Sequence, residues 1–448
     1  MLAIHAHSLP SKTTVLLAVL LASALASPNS VYAGSKKKTT TDTTAEQTGG
    51  PIVDLSKIDI SKLVWPQPPS IPRVRYTAYF AGMKIDHTPV AAKKKPKQTW
   101  MDRLAGGQSQ QEKFNVKDFP FQLLGPYGMA VDSKGRLYVA DQRVGAVFIF
   151  NTETRDVELI ANGQQAHFGL INGIAIDDDD RVFVSDGKMH RVLVFNAKHE
   201  VINQIHEKLI DPVGLAIDTE NRLLYVVDTQ ADQVVVYDAD SLKELRRIGT
   251  AGKNHYLTTP GDFGGASNVA VDKDGNVYVT DTMNNRVEIF DADGNFISLF
   301  GKHCDGPGCF SRPKGIAVDA DGHIWVADEM LDLLQAFNRQ GQLLTYIGIG
   351  HGDLPGQFDA LIGVAVDKQN RIFTSEQYPG RLQVFQYITD AEAAAEKSRR
   401  EEELQKAADA RQKGAAPAPP GPPAEASPQT PPAATAPPES APPAAKPQ

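Results

Sequence analysis

Residues 268–291 read NVAVDKDGNVYVTDTMNNRVEIFD, and the chain repeats this pattern five more times. Each copy contains three short runs of β-branched and aromatic residues separated by turn residues, which is typical of short β-strands. A fourth such run follows each of the first five copies, and the acidic residue that ends the second run recurs every 42 to 53 residues. Four strands in a unit of this length predict one blade of a β-propeller, so six copies predict six blades. The copies lie at 128–150, 173–195, 214–238, 268–291, 315–337 and 363–385.

The sixth copy has no fourth strand of its own, because the sequence turns helical after the run at 381–387. An open edge strand there would favour aggregation. The run at 73–80 (RVRYTAYF) lies upstream of the first copy and has the composition of a strand. We therefore predict an all-β fold: a six-bladed β-propeller over 70–388, closed by this N-terminal strand, with 84–118 as an insertion.

These copies resemble the NHL repeat, in which a G-[IVL]-A-[VI]-D strand is followed by a second strand ending in Asp and by a third that opens near Arg. The layout, with a lead-in rich in Trp and Pro at 65–69, is similar to that of bacterial exported six-bladed NHL proteins. Such proteins are mostly scaffolds or uncharacterised, so the resemblance implies the fold more firmly than the function.

The two ends of the chain have other compositions. Residues 1–33 contain Lys12, an apolar run at 15–26 and small residues at 31–33, as in a secretory signal peptide. We expect an exported protein, periplasmic or secreted; an uncleaved N-terminal anchor is the alternative, since three lysines follow at 36–38.

Residues 34–69 are predicted to be a flexible tether and Pro-rich lead-in. Residues 389–414 are predicted to be a helical stalk with Asp390 at its N-cap. The stretch 415–448 holds 13 prolines and 11 alanines and is predicted to be disordered.

Charge is distributed unevenly along the chain. Residues 119–388 contain 23 Lys and Arg against 37 Asp and Glu, a net charge of −14. Because nucleic-acid binding requires clustered cations, we expect no nucleic-acid partner. Residues 34–118 carry 15 against 8, a net charge of +7. The lysines at 93–97 followed by Trp100 suggest either a solvated loop or a peripheral contact with a membrane or the cell envelope through this N-terminal segment.

Two acidic positions recur in every blade. The first ends the first strand, where a short acceptor side chain stabilises the following turn; we favour this interpretation over a ring of metal ligands. The second ends the second strand, and we expect ion pairs with the arginines that precede some third strands. These positions are Asp132, Asp177, Asp218, Asp272, Asp319 and Asp367; Asp141, Asp186, Asp228, Asp281, Asp328 and Glu376; and Arg191, Arg286 and Arg381.

The longest loops, 161–172, 249–267, 300–314 and 348–362, all lead into first strands, so they share one face of the ring. Function tends to lie on such loops. We predict a ligand site there, around the mouth of the central channel. Its candidate residues are Tyr127, Gln142, Arg143, Asn172, His190, Asn268, Met283 and Lys314, with Val213, Ser267 and Ile362 on the same ring.

The leading functional hypothesis is a non-enzymatic, monomeric scaffold that binds a protein, peptide or glycan on this face. We assign no catalytic residue, no cofactor and no metal ligand. The resemblance keeps one alternative open, since some NHL-like propellers are peptidyl-hydroxyglycine lyases with zinc-binding histidines at the mouth, and lactonase-type propellers hold calcium on acidic channel residues. A metal-dependent lyase or hydrolase of either kind would have its site at the channel mouth. The positions in this chain that match those histidines hold none; they are Tyr127, Asn172, Val213, Ser267, Lys314 and Ile362.

Cys304 and Cys309 are the two cysteines of the chain and bracket a Gly-Pro-Gly turn. In an oxidising compartment they are expected to form a local disulfide. A redox pair, or metal ligands together with His303, is the alternative.

Overall fold

The computed structural model describes residues 58–81, 122–161, 163, 166–250, 259–348 and 350–414. Its strands form six antiparallel sheets. The first strand of each sheet contacts the first strands of the two neighbouring sheets, and the last sheet contacts the first in the same way. The sheets are therefore the blades of a closed ring, as predicted.

Two strands precede the first complete blade, β1 (Val64–Trp65) and β2 (Val74–Phe80). Blade one contains β3 (Pro126–Val131), β4 (Arg136–Asp141), β5 (Ala146–Asn151) and β6 (Val157–Ile160). Blade two contains β7 (Ile171–Ile176), β8 (Val182–Asp186), β9 (Arg191–Phe195) and β10 (Val201–Ile205). Blade three contains β11 (Pro212–Asp218), β12 (Leu223–Asp228), β13 (Gln233–Asp238) and β14 (Glu244–Ile248).

Blade four contains β15 (Ala266–Val271), β16 (Val277–Asp281), β17 (Arg286–Phe290) and β18 (Phe296–Phe300). Blade five contains β19 (Pro313–Val318), β20 (Ile324–Asp328), β21 (Leu333–Phe337) and β22 (Leu343–Ile347). Blade six contains β23 (Leu361–Val366), β24 (Arg371–Glu376) and β25 (Arg381–Tyr387). A helix, α1 (Asp390–Gly414), follows it, and short 3-10 turns lie at Ile60–Lys62 and Thr229–Ala231.

Ring closure by the N-terminal strand is confirmed. Strand β2 pairs antiparallel with β25, from Val74 opposite Tyr387 to Phe80 opposite Leu382. It supplies the fourth strand that the sixth repeat lacks.

The prediction of a flexible tether to residue 69 is wrong for residues 58–69. Strand β1 pairs with β2 and makes the last sheet five-stranded. Trp65 is buried and packs edge-on against Phe385 at a centroid distance of 5.6 Å. An apolar anchor of this size covers the edge of β2 and fixes the lead-in to the ring.

The core consists of six apolar clusters, and each fills the space between two neighbouring blades. Phe80, Phe148 and Phe373, for example, join blades six and one. At the channel the inner strands approach more closely. A Cβ on Gly128 would meet the Asn172 carbonyl oxygen at 2.3 Å, and one on Gly173 would meet the Val213 carbonyl oxygen at the same distance. Glycine is required at these two positions because a side chain there would collide with the backbone of the next blade.

The first repeated acid stabilises a turn, as predicted. Asp132 Oδ1 accepts hydrogen bonds from the amides of Lys134 and Arg136 at 3.0 and 2.8 Å, and Asp272, Asp319 and Asp367 make the same pair of bonds two and four residues downstream. These carboxylates are used in the turns of their own blades, and Asp272 also pairs with Arg339 of blade five at 3.0 Å.

The second repeated acid caps the loop that leads into its own blade. Asp141 accepts from the amides of Leu124 and Gly125. Two of the predicted ion pairs form, Arg286 with Asp281 at 2.9 Å and Arg381 with Glu376 at 2.8 Å. Arg191 differs, since its guanidinium donates to Gln204 and to the His167 carbonyl instead.

Helix α1 begins with a capping box on a residue that the sequence reading overlooked. Thr389, not Asp390, is the N-cap: Glu392 accepts from the Thr389 amide at 3.0 Å and donates its own amide to Thr389 Oγ1 at 3.4 Å. None of the helices in the described part of the chain has the length and apolar character needed to cross a membrane. The expectations for 1–33, for 84–118 and for 415–448 lie outside the described residues.

Candidate functional site

Strand directions divide the connections between two faces of the ring. We call the loop face the side that carries the loops leading into inner strands and the turns between second and third strands. It consists of 122–125, 142–145, 166–170, 187–190, 206–211, 229–232, 259–265, 282–285, 301–312, 329–332, 350–360 and 377–380. We call the opposite side the turn face; it carries the turns that follow the inner strands (132–135, 177–181, 219–222, 272–276, 319–323, 367–370) and those between third and fourth strands.

Tyr127 lies at the channel mouth on the loop face, near the start of the inner strand of blade one. Its pKa is raised to about 12, mainly by burial and further by the charges of Glu329 in blade five and of Asp211 before blade three. The ionisation of Tyr127 therefore depends on acidic residues of two other blades.

Lys314 occupies the equivalent position in blade five and is half-buried. Burial lowers the pKa of its ammonium group, Glu329 opposes this effect and Arg312 adds to it. Glu329 forms its ion pair with Arg312 at 3.1 Å. No carboxylate oxygen of the described residues lies within 4 Å of the Lys314 ammonium, so this cation is available to an anionic group of a ligand.

Gln142, Asn172 and His190 join neighbouring blades at the mouth. Gln142 donates to the side-chain oxygen of Asn172. The side-chain nitrogen of Asn172 donates to the Pro212 carbonyl at 3.4 Å. The Nδ1 atom of His190 contacts the Ile210 carbonyl. The first two residues therefore help to hold the wall of the mouth, whereas the His190 ring is exposed on the rim.

Asn268 lies one residue deeper than the mouth. It replaces the glycine that the other five blades place at this level, and its side-chain oxygen accepts from the Val269 amide at 2.9 Å. Ser267 takes the mouth position but is buried, since its hydroxyl lies within a cluster with Thr280 and Thr282. Val213 and Ile362 are buried at the same level.

Hydroxyl groups link neighbouring blades next to this ring, a feature that sequence reasoning missed. Ser185 donates to the Val213 carbonyl at 2.6 Å, Thr280 to the Lys314 carbonyl at 2.9 Å and Ser375 to the Tyr127 carbonyl at 2.6 Å. Each precedes the acid that ends its second strand. A comparison of the repeats at that offset would have pointed to them.

The long loops of blades four to six share an anchor that was also overlooked. Each ends in Pro-Gly-x-Phe, at 260–263, 307–310 and 355–358. The phenylalanines are buried, and each glycine amide donates to a buried side chain of a third strand: Gly261 to Glu288, Gly308 to Gln335 and Gly356 to Gln383. The ends of the three loops are thus fixed against the ring.

The expected disulfide is present. Cys304 and Cys309 are joined within the loop of blade five, and Cys309 is buried. The bridge lies on the loop face, next to the Gly308 anchor.

Large apolar side chains are exposed at the tips of the loop face. Met283, a predicted ligand residue, is 59% exposed, while Met189 and Met330 from the equivalent turns of other blades are 47% and 63% exposed. Tyr378 is 49% exposed, and Arg143 lies over its ring at 4.9 Å and donates to its hydroxyl. Of these residues, the sequence analysis named only Arg143 and Met283.

The turn face has a different character. A cavity of about 550 Å³ opens there between blades six, one, two and three. Its walls include Val131, Ile176 and Val366 at the ends of inner strands, with Lys134 and Lys368 also in the lining.

One cluster of acidic residues among the described residues is close enough together to ligate a metal ion; it consists of Asp177, Asp178 and Asp179. The Arg222 guanidinium lies 2.6 to 3.5 Å from all three carboxylates and offsets part of their negative charge.

Three family profiles match parts of the chain. A profile described as 6-bladed beta-propeller matches residues 257–406, one described as SMP-30/Gluconolactonase/LRE-like region matches 194–301, and one described as NHL repeat matches 168–195. No curated protein matches the sequence significantly.

Among solved structures, a catalytically inactive virginiamycin B lyase from Staphylococcus aureus is 15% identical, with a TM-score of 0.44 over 59% of this chain and 81% of its own. A protein of unknown function from Bacteroides thetaiotaomicron is 18% identical, with a TM-score of 0.49 over 59% of this chain and 70% of its own. A gluconolactonase from Xanthomonas campestris is 17% identical, with a TM-score of 0.46 over 59% of this chain and 87% of its own. Likenesses this distant say nothing about activity.

The repeats in the sequence, the six blades that they form and the two propeller profiles agree with one another. The chain is a six-bladed β-propeller whose repeats resemble NHL repeats.

Proposed function

We propose that this propeller is a binding protein that holds a polypeptide partner on its loop face. The observation that carries the proposal is the exposure of Met189, Met283 and Met330 in equivalent turns of one face. Methionine side chains are flexible and polarisable, and they are over-represented on protein-binding surfaces. Exposed apolar residues that gather on one face mark a surface for protein interaction.

Several features favour a polypeptide over a glycan. Sugar rings are generally bound by stacking on exposed aromatic rings, and Tyr378 is the one aromatic residue among the large apolar side chains exposed on the described loop face. The other exposed apolar residues there are aliphatic or methionine, including Leu124, Leu170, Ile210 and Leu354. The half-buried mouth residues Tyr127 and Lys314 would then contact the partner's backbone or its charged groups.

The loop face is also organised in advance for binding. Its loops are fixed by the strand-ending acids, by the Pro-Gly-x-Phe anchors and by the disulfide. Loops that are already ordered lose less conformational entropy on binding, which favours affinity.

An oxidising location is part of the proposal. The disulfide is compatible with export, since such bonds persist outside the cytosol. Fractionation of cells, with N-terminal sequencing of the recovered protein, tests this point; protein that is recovered only from the cytoplasm would contradict it.

The test compares two triple variants of the full chain. Met189, Met283 and Met330 are replaced by lysine in one variant, and Ile202, Leu245 and Ile297 are replaced in the other. The control residues lie on outer strands and are 51%, 50% and 51% exposed, close to the methionines. A photo-crosslinking residue at position 283 first captures the partner from an envelope extract, and the affinity of that partner is then measured for each variant.

The methionine variant should bind the captured polypeptide at least about tenfold more weakly, and the control should bind like the wild type. Both variants should melt close to the wild-type temperature, because surface substitutions change stability by only about 0.5 kcal/mol. Equal binding by both variants would show that the loop face is not the docking surface.

A second candidate function, hydrolysis of a lactone, is favoured by the match of residues 194–301 to the gluconolactonase-like profile. Asp211 and Glu329 lie on the loop face, and their charges contribute to the raised pKa of Tyr127 at the channel mouth. Burial raises the pKa of Asp211, and the Asp228 charge raises it further. Lactone hydrolysis assayed with added calcium or zinc tests this candidate. Turnover that is abolished by Glu329→Gln, but not by Glu153→Gln on the turn face, would support the enzyme.

A further inference from the structure

The six blades serve as an internal comparison, and one loop-face position stands out. The residue two places after the strand-ending acid is the tip of the turn between the second and third strands. Around the ring it is Arg143, Lys188, Gln230, Met283, Met330 and Tyr378. All six side chains are exposed. The acid itself is constant apart from Glu376, so the fold fixes one position and leaves the tip free to vary.

The variation at the tip follows the order of the blades. Blades one and two carry cations, blade three carries an amide, and blades four to six carry apolar or aromatic side chains. The exposed Val144 and Met189 stand next to the two cations. The loop face is thus divided into a basic arc, Arg143 and Lys188, and an apolar arc, Met283, Met330 and Tyr378.

The basic arc has unused charge. Neither Arg143 nor Lys188 has a carboxylate of the described residues within 4 Å, and the same holds for Lys314 in the mouth. On the turn face the arginines Arg136, Arg181, Arg222, Arg339 and Arg371 each pair with an aspartate, although Lys198 and Lys273 also lack a carboxylate of the described residues within 4 Å. On the loop face the unpaired cations stand beside exposed apolar tips, so this surface is complementary to a partner that carries both anionic and apolar groups.

The two arcs meet where blade six adjoins blade one. Arg143 Nη2 donates to the Tyr378 hydroxyl at 2.9 Å, and its guanidinium lies over the Tyr378 ring. Both side chains remain exposed, so one ligand can contact the cation and the apolar arc together.

We infer that the loop face recognises a polypeptide segment with carboxylate side chains at one end and apolar side chains at the other. The carboxylates lie over Arg143 and Lys188, and the apolar side chains lie over Met283, Met330 and Tyr378. The inference rests on the proposed function and adds to it the chemistry and orientation of the partner.

A random dodecapeptide library displayed on phage provides the probe, with the full chain as bait in four forms. These are the wild type, Arg143→Glu with Lys188→Glu, the methionine-to-lysine triple variant, and Lys198→Glu with Lys273→Glu as a control. The control changes the net charge by the same amount with two exposed lysines of the turn face. The affinities of enriched peptides are then measured for each form of the chain.

The wild type and the charge control should enrich peptides that contain both acidic and apolar residues. The Arg143→Glu and Lys188→Glu variant should bind those peptides about tenfold more weakly and should enrich basic and apolar peptides instead. Peptides that need the methionines but show no charge preference would overturn the inference and leave the proposed function intact.

Failure of the proposed function gives a different result. No enrichment on the wild type, or enrichment that the methionine variant leaves unchanged, would contradict docking on the loop face. A fifth bait without residues 84–118 identifies a competing occupant, because that segment leaves and returns on the loop face, at Ala81 and Leu123, which are hydrogen-bonded at 3.0 Å. Enrichment on this bait alone would mean that the chain covers its own face, which would also overturn the inference.

Discussion

Glu288 is a buried carboxylate at a position where blades five and six carry Gln335 and Gln383. One of its oxygens accepts from the Gly261 amide at 2.7 Å, and the other lies 2.6 Å from Nη2 of Arg286. Burial raises the pKa of Glu288 to about 7, although the Gly261 amide and Arg286 oppose this and Asp281 adds to it. The folded protein therefore retains a proton here that the unfolded chain has already lost.

The sign of the resulting pH dependence follows from linkage. Between about pH 4.5 and 7 the folded state binds more protons at Glu288 than the unfolded state does, so the free energy of unfolding falls as pH rises. Glu288→Gln removes this effect and introduces the amide that fits in blades five and six. We expect the melting temperature of the variant, relative to that of the wild type, to rise from pH 5 to pH 8. The corresponding change in the relative free energy of unfolding is at most roughly 3 kcal/mol.

Calorimetry at four pH values in this range tests the prediction. Glu158→Gln, an exposed carboxylate on β6, is the control and should show a constant difference from the wild type. A constant difference for Glu288→Gln as well would mean that Glu288 is ionised throughout the range.

At the scale of elements, the loop at 301–312 is held at its base by two independent devices. One is the bridge between Cys304 and Cys309. The other is Gln335, which accepts from the Gly308 amide at 2.7 Å and donates to the Cys309 carbonyl at 2.8 Å. The bridge closes a short loop, for which chain entropy predicts a gain of about 2 kcal/mol.

We expect Cys304→Ser with Cys309→Ser to stay folded and to melt only a few degrees lower, because Gln335 still holds the loop. Gln335→Leu should destabilise the loop more, since it leaves a buried amide and a buried carbonyl without partners. Hydrogen exchange at 302–310 and the melting temperatures of both variants give the comparison. Loss of the folded state in the double serine variant would show that the bridge is the principal support. Two free thiols in oxidised wild-type protein would disprove the bridge itself.

The elements also show what the sequence could predict and why the rest escaped. The blades and the closing strand could be predicted because six copies repeat the same strand and turn pattern, and only one run upstream has strand character. The two-residue strand β1 escaped because a segment rich in proline lacks strand periodicity, and the burial of Trp65 fixes it instead. Thr389 escaped because Asp390, another good N-cap residue, stands directly after it.

The candidate site could be predicted only in part, for a related reason. The position of each residue within the repeat located Tyr127, Lys314 and Met283 on the loop face, but it did not reveal that the charges of Asp211 and Glu329 act on Tyr127. Electrostatic coupling between blades depends on side-chain length and direction, which the repeat does not encode. The equivalence of Met330 with Met283 was visible in the alignment of the copies, whereas Met189 aligns one residue further along, and the exposure of all three required the structure.

At the scale of the whole molecule, ring closure depends on the contact between β2 and β25. Tyr76 lies in the middle of this contact, is 4% exposed and packs edge-on against Phe385 at 5.4 Å. We expect Tyr76→Ala to destabilise the protein by about 3 kcal/mol, a typical value for the loss of a buried aromatic side chain.

Chemical denaturation of Tyr76→Ala and of Tyr346→Ala tests this prediction. The control is a tyrosine on the outer strand β22 that is 41% exposed, and it should change stability by less than about 0.5 kcal/mol. A similar loss for both variants would mean that closure contributes no special stability.

A variant without residues 58–80 should be unstable or aggregate, because the third strand of blade six becomes an edge.

The place where helix α1 begins sets the reach of whatever the chain carries beyond it. The Ile388 amide donates to the Arg73 carbonyl at 2.7 Å, so the helix starts at the end of β25 that lies on the turn face. Its 25 residues extend for about 37 Å at the usual rise per residue. The helix is therefore attached at the face of the disc opposite the proposed docking surface. Its first turn does not compete with a partner for the loop face.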